Sequence, residues 1–245
     1  WLQRRRRWDA AWRIDAWPFE DGTITVYAPA AAPHAPVALL VHGWGGHAGQ
    51  MLPLAQALAA QGLRTVLLEM PAHGRSAGST STLPQFARAI EYAVQRLQQE
   101  GHTVQVLAAH SLGASAAAYA TARGLPVRQL VLVAPPASPR AYTRYFAQVF
   151  GLSEGTRAAM QKRIEAREGV LMPQFEPPAA GPRIAVPTLV VHDRGDRINA
   201  FADGQAYARS IVQGELVATE GLGHRKVLKD AGVLARIAAF AGSST

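Results

Sequence analysis

The chain has 245 residues, 49% of them hydrophobic, with no cysteine and a net charge of +8 at neutral pH. That length supports one sizeable core, the missing cysteines exclude a disulfide framework and thiolate chemistry, and no apolar run reaches the ~18–20 residues of a membrane-spanning helix. Arg4–Arg7 supply half of the excess charge and are flanked by Trp1, Trp8 and Trp12, a composition able to touch anionic lipid or nucleic acid; with no nucleic-acid motif after it, the run reads as a solvated arm and no nucleic-acid partner is expected.

Residues 1–22 are therefore assigned to a basic N-terminal arm. Thr23–Tyr27 alternates like a strand, and residues 28–36, with three prolines, read as a loop. Val37–Val41 is a continuous apolar run that fits a strand buried on both faces. Met51–Gln61 has helical spacing and stops at Gly62, a C-terminal cap. Leu63–Leu68 is another buried strand. Leu83–Glu100 carries Phe86, Ile90, Val94 and Leu97 on one helical face, closed by Gly101. The strand Val104–Ala108, a helix after Ser111 and the strand Gln129–Val133 continue the alternation. Such alternation predicts a doubly wound α/β fold, a mostly parallel sheet with helices on both faces.

Residues 135–187 break the rhythm. They hold two expected helices, about 140–150 and 154–167, and a proline-rich connector from Pro173 to Pro187. Alternation resumes with the strand Thr188–Val191, a helix over Phe201–Val212, the strand Glu215–Ala218 and a last helix over Lys226–Phe240. One domain over 23–245, with a small helical cap inserted at about 135–187, is the expected organisation.

The chemistry concentrates at Ala109-His110-Ser111-Leu112-Gly113. An apolar strand there ends at a serine, and a Gly/Ala-rich helix begins at once. A sharp strand-to-helix turn pushes its apex side chain outward, next to helix N-terminal N–H groups able to receive negative charge. The competing reading is a serine that caps a buried helix. His42-Gly43-Trp44-Gly45-Gly46 directly follows a buried strand, so glycines bring the backbone close to the serine. The N–H of Trp44 would then be one oxyanion donor and that of Leu112 the other; a plain glycine turn is the alternative. Asp196 and Asp193 both follow the strand Thr188–Val191 and are rival carboxylates for orienting a histidine. Their ordinary reading is a turn paired with Arg194 and Arg197. His224 sits in a glycine-flanked loop between the last strand and last helix, where an exposed imidazole suits general-base work. His42 and His110 are expected to pack around the site. No His/Asp/Glu spacing suggests a metal, and no glycine pattern suggests a phosphate or dinucleotide loop.

Taken together, the order Ser111…Asp196…His224, the loop at 42–46 and Glu69-Met-Pro-Ala-His-Gly-Arg-Ser76 resemble the α/β-hydrolase superfamily, as a serine esterase- or lipase-like member. The last stretch is similar to the family's D-x-P-G-H-G-x-S loop, with Glu69 for the usual Asp and Ala72 for the usual Gly. Ala109 likewise stands where the elbow usually has Gly. The resemblance covers about residues 23–241 and favours Asp196 over Asp193. It implies a Ser111–His224–Asp196 triad, a two-donor oxyanion hole and no cofactor. The expected activity is hydrolysis of carboxylic esters of small to medium acyl chain through an acyl-enzyme on Ser111. Amide, thioester or C–C hydrolysis, acyl transfer, and a catalytically silent binding module are the alternatives. Substrate choice is expected in the cap, where the family places its lid: Trp44, His110, Tyr142, Tyr145 and Phe146 are the candidate pocket residues. Cysteine-free composition favours the cytoplasm. Because the chain opens on Trp1 rather than Met, an upstream segment such as a signal peptide or anchor is expected to be missing from these residues.

Overall fold

The structure, a computed structural model, describes residues 8, 10–30 and 35–243, with every side chain among them except that of Tyr145. Trp1, Arg4–Arg7 and His34 lie outside the described residues.

The elements in chain order are β1 (Trp12–Phe19), β2 (Gly22–Pro29), β3 (Val37–Val41), α1 (Leu52–Ala59), β4 (Arg64–Glu69), α2 (Leu83–Gln99), β5 (Val104–His110), α3 (Leu112–Ala122), β6 (Gln129–Val133), α4 (Pro139–Val149), α5 (Glu154–Glu168), α6 (Pro177–Ala180), β7 (Thr188–Asp193), α7 (Phe201–Ser210), β8 (Gly214–Thr219), α8 (Gly223–Lys226) and α9 (Ala231–Gly242). The described strands form one sheet of order β1-β2-β4-β3-β5-β6-β7-β8. β1 and β2 pair antiparallel, as do β2 and β4, and every pairing from β4 to β8 is parallel.

Alternating side chains of the central strands feed two cores, because successive residues of a strand face opposite sides of the sheet. Val37, Leu39 and Val41 join Phe86, Ile90 and Val94 of α2 and the alanines of α3 on one face. Ala38 and Leu40 join Leu54 and Leu58 of α1 and Ile237 of α9 on the other. Burial on both faces explains why β3 is an unbroken apolar run and why β5 and β6 are apolar but for Gln105, His110 and Gln129. α2 begins where Thr82 accepts a hydrogen bond from the Gln85 N–H at 3.2 Å. No described helix is long and apolar enough to cross a membrane.

From β3 the chain steps to β4 on one side, and β5 then returns to pair with the opposite edge of β3. The loops leaving β3 and β5 therefore diverge at the carboxyl ends of these strands. The residues singled out in the loop at 42–46 and at Ser111 lie at that point.

Three sequence expectations are revised. Trp12–Phe19, assigned to a terminal arm, pair along their whole length with β2, and Trp8 stacks on Tyr27 at 4.1 Å between ring centres. Polar residues and Pro18 obscured this strand; an edge position tolerates both. The helix expected over Lys226–Phe240 is two, because Asp230 accepts from the Val233 N–H at 2.9 Å and caps a new start at α9. The proline-rich connector holds the short helix α6 and two single 3-10 turns.

Candidate active site

Ser111 separates β5 from α3 with φ 54° and ψ −126°, a conformation that costs a non-glycine residue roughly 1–3 kcal/mol and persists only where the surroundings impose it. Its N–H is held by the Val133 carbonyl at 2.9 Å. The side chain makes no capping bond to α3, so the helix-cap reading of this serine does not describe it. The turn is tight enough to dictate its neighbours: a Cβ on Gly113 would lie 2.4 Å from the His42 carbonyl oxygen, and one on Gly43 would lie 2.7 Å from Ser111 Cβ. Ala109 takes its extra methyl into the core beside Leu107 and Leu112.

The Ser111 hydroxyl donates to His224 Nε2 at 3.1 Å, and His224 Nδ1 donates to Asp196 Oδ2 at 2.7 Å. Asp196 Oδ1 accepts the N–H groups of Ile198 at 2.8 Å and Asn199 at 3.1 Å. Burial pulls the Asp196 carboxyl upward, yet hydrogen bonds from His192, His224 and Ile198 outweigh it and hold the group well below the usual carboxylate range. A carboxylate on Nδ1 fixes the tautomer that leaves Nε2 free to accept the serine proton.

Asp193, the rival carboxylate, is 1% exposed and so is not part of a surface arginine pair. Its oxygens accept from Gly195 N–H at 2.9 Å, Thr219 Oγ1 at 2.8 Å and Leu222 N–H at 3.0 Å. It therefore ties down the loop that carries His224. The two aspartates are three residues apart and do different things.

The stretch 69–76 braces the loop at 42–48 from behind. Met70 N–H donates to His42 Nε2 at 3.1 Å, Gly45 N–H to His73 Nε2 at 2.8 Å, and Ala48 N–H to Glu69 Oε1 at 2.9 Å. The longer Glu69 also accepts from the Tyr27 hydroxyl at 2.6 Å. Ala72, where the superfamily usually has Gly, is held at φ 58°. His42 and His110 are both buried, which pushes each down to about 3 and keeps the rings neutral. His110 Nε2 donates to the His224 backbone carbonyl at 2.9 Å, so it supports the His224 main chain rather than lining a pocket.

α4 lies over this group: the Tyr142 hydroxyl is 3.5 Å from Ser111 Oγ, and Ser111 is only 3% exposed. Phe146 pairs with Phe150 at 4.5 Å between ring centres, and the Tyr145 side chain lies outside the described residues. Trp44 is 48% exposed. Two neighbours escaped the sequence reading, His192 and Asn199. Neither was given a role there: His192 lies near the end of β7, and only the turn that follows brings Asp196 and Asn199 back against it. Among the described residues no group of three or more His, Cys, Asp or Glu side chains is arranged to hold a metal.

Comparison with known proteins gives the following. The family described as serine aminopeptidase, S33, matches residues 32–175, more than half of the chain. A search of curated proteins by sequence finds no match. The fold is similar to that of a hydrolase from Pseudomonas aeruginosa PA01, with a TM-score of 0.74, 18% identity and coverage of 97% of this chain and 100% of that one. It is similar to Est1E from Butyrivibrio proteoclasticus, solved with ferulic acid bound, with a TM-score of 0.70, 18% identity and coverage of 94% and 96%. It is also similar to the Pyrococcus furiosus esterase Pf2001, with a TM-score of 0.72, 15% identity and coverage of 94% and 91%. At these identities the likeness concerns the fold.

Proposed function

We infer, from the premise that this chain belongs to the serine aminopeptidase S33 family of α/β-hydrolases, that it is a serine hydrolase of carboxylic esters. The observation that carries the reading is the continuous relay from Asp196 through His224 to a serine held at φ 54°. His224 takes the hydroxyl proton as Ser111 Oγ attacks the ester carbonyl, and Asp196 holds and stabilises the imidazolium. The N–H groups of Trp44 and Leu112 receive the oxyanion, each such donor being worth about 3–4 kcal/mol of barrier in comparable sites. His224 then protonates the leaving alcohol, and water hydrolyses the acyl-enzyme by the reverse route.

The cap at 135–187 is proposed as the substrate-selecting part of a single domain. α4 sits close over Ser111, with Tyr142 nearest, which favours small to medium acyl groups over long ones. Hydrolysis of p-nitrophenyl esters from acetate to palmitate, compared with Ser111→Ala, tests the reading. Turnover lost in the variant, with an optimum at short to medium chains, supports it. Equal turnover in wild type and Ser111→Ala refutes it. Covalent labelling of Ser111 by a fluorophosphonate without ester turnover moves the substrate to an amide or thioester.

A further inference from the structure

Ser111 Oγ has a third neighbour besides His224 and Tyr142. Asn199, 4% exposed, places Nδ2 at 3.5 Å from Ser111 Oγ and 2.8 Å from the carbonyl oxygen of Ala134. The Ala134 carbonyl fixes which end of the amide faces this way, because an oxygen there would oppose an oxygen. Ala134 is itself held at φ 49° at the end of β6, with its N–H on the Val191 carbonyl at 2.8 Å. One amide hydrogen is thus used on Ala134, and the second points toward the nucleophile.

The backbone of the same residue is engaged on the other side of the relay. Asn199 N–H donates to Asp196 Oδ1 at 3.1 Å, and its carbonyl accepts from His192 Nε2 at 3.2 Å. His192 Nε2 also lies 3.5 Å from Asp196 Oδ2. Asn199 therefore connects the acid, the elbow and the end of β6 through its own four polar contacts.

We propose that Asn199 is a positioning residue for the Ser111 hydroxyl, its side-chain amide donating to Oγ while the hydroxyl donates to His224. The proposal rests on the serine-hydrolase reading. Its physical basis is the hydrogen-bond count at Oγ. The single hydroxyl hydrogen must point at Nε2 for proton transfer, so a neighbour that can only donate occupies a lone pair and leaves the hydrogen that one direction. As the proton leaves, the same N–H faces growing negative charge on Oγ, and a bond that is long at rest tightens in the reacting complex. Glutamine would carry the amide past Oγ by a methylene, and aspartate would set an acceptor against lone pairs. Asparagine fits the distance and the polarity.

The test is the second-order rate of fluorophosphonate labelling at Ser111, measured with kcat and KM for a p-nitrophenyl ester and with Tm. Asn199→Ala and Asn199→Ser both remove the amide donor to Oγ, and the serine retains a small polar side chain. Labelling rate and kcat are expected to fall roughly 10- to 100-fold in both variants, with KM within about twofold, the size of effect that misaligned reacting groups produce. A merely structural role would lower Tm and leave the reactivity of the folded enzyme unchanged. Wild-type labelling rate and kcat in either folded variant would overturn the proposal. Failure of the unmodified protein to label at all would instead overturn the serine-hydrolase reading on which it depends.

Discussion

Burying two neutral histidines beneath the site should make the protein acid-labile. His42 and His110 have an ordinary value of 6.5 and are pushed down to about 3, in both cases first by burial. Between these limits the unfolded chain binds one proton more than the folded chain at each ring, so stability falls as pH falls, by about 1.4 kcal/mol per unit and per histidine. Together the two remove roughly 4 kcal/mol between pH 7 and pH 5, against a total of about 5–15 kcal/mol for an ordinary domain. His73, also lowered by burial, acts in the same direction. Asp196 is lowered as well, so its stabilising share is lost only as pH falls below the ordinary carboxylate range. Urea unfolding followed by circular dichroism at pH 7, 6 and 5 measures the slope. His42→Gln should reduce that slope by about 1.4 kcal/mol per unit whatever it does to absolute stability. Unfolding free energies equal within about 1 kcal/mol at pH 7 and pH 5 would refute the assignment of both rings as neutral and proton-excluding.

Gly113→Ala would force a methyl to 2.4 Å from the His42 carbonyl oxygen; separating elbow and loop should cost about 1–3 kcal/mol and lower kcat by about 100-fold, read by thermal unfolding and ester turnover. Asp193→Ala strips the acceptor from Thr219, Leu222 and Gly195, and a drop of about 1–3 kcal/mol with a lower kcat is expected from chemical unfolding and steady-state kinetics. Ala72→Gly relieves a left-handed alanine at φ 58° and should leave stability unchanged or raise it by up to about 1 kcal/mol, seen as a higher Tm at unaltered kcat. Tyr142→Phe keeps the ring over Ser111 while removing the hydroxyl 3.5 Å from Oγ; a change in chain-length preference larger than the change in stability is expected from p-nitrophenyl ester series.

Local chemistry was legible in the residues wherever it depended on neighbours in the chain. Predominantly apolar runs marked β3, β5 and β6, because strands buried on both faces have few polar positions. Gly43 and Gly113 announced a close approach of backbones around Ser111, since a side chain at either glycine would collide there. The edge strand β1 was not legible: half exposed and interrupted by Pro18, it has neither an apolar run nor a clean alternation.

Contacts between distant segments were decided by the tertiary structure alone. Asp193 ends β7 and Asp196 lies three residues on with the same chemistry, and sequence spacing gives no reason for either to face His224. The turn after β7 turns Asp196 toward the imidazole and Asp193 toward the loop at 219–222. The same turn brings Asn199 from 88 positions away to the serine, and the return of the last loop sets His110 under the His224 backbone. Periodicity records which face of an element is buried; which distant polar groups meet at the end of a sheet depends on strand order and loop path, and those leave no repeat in the sequence.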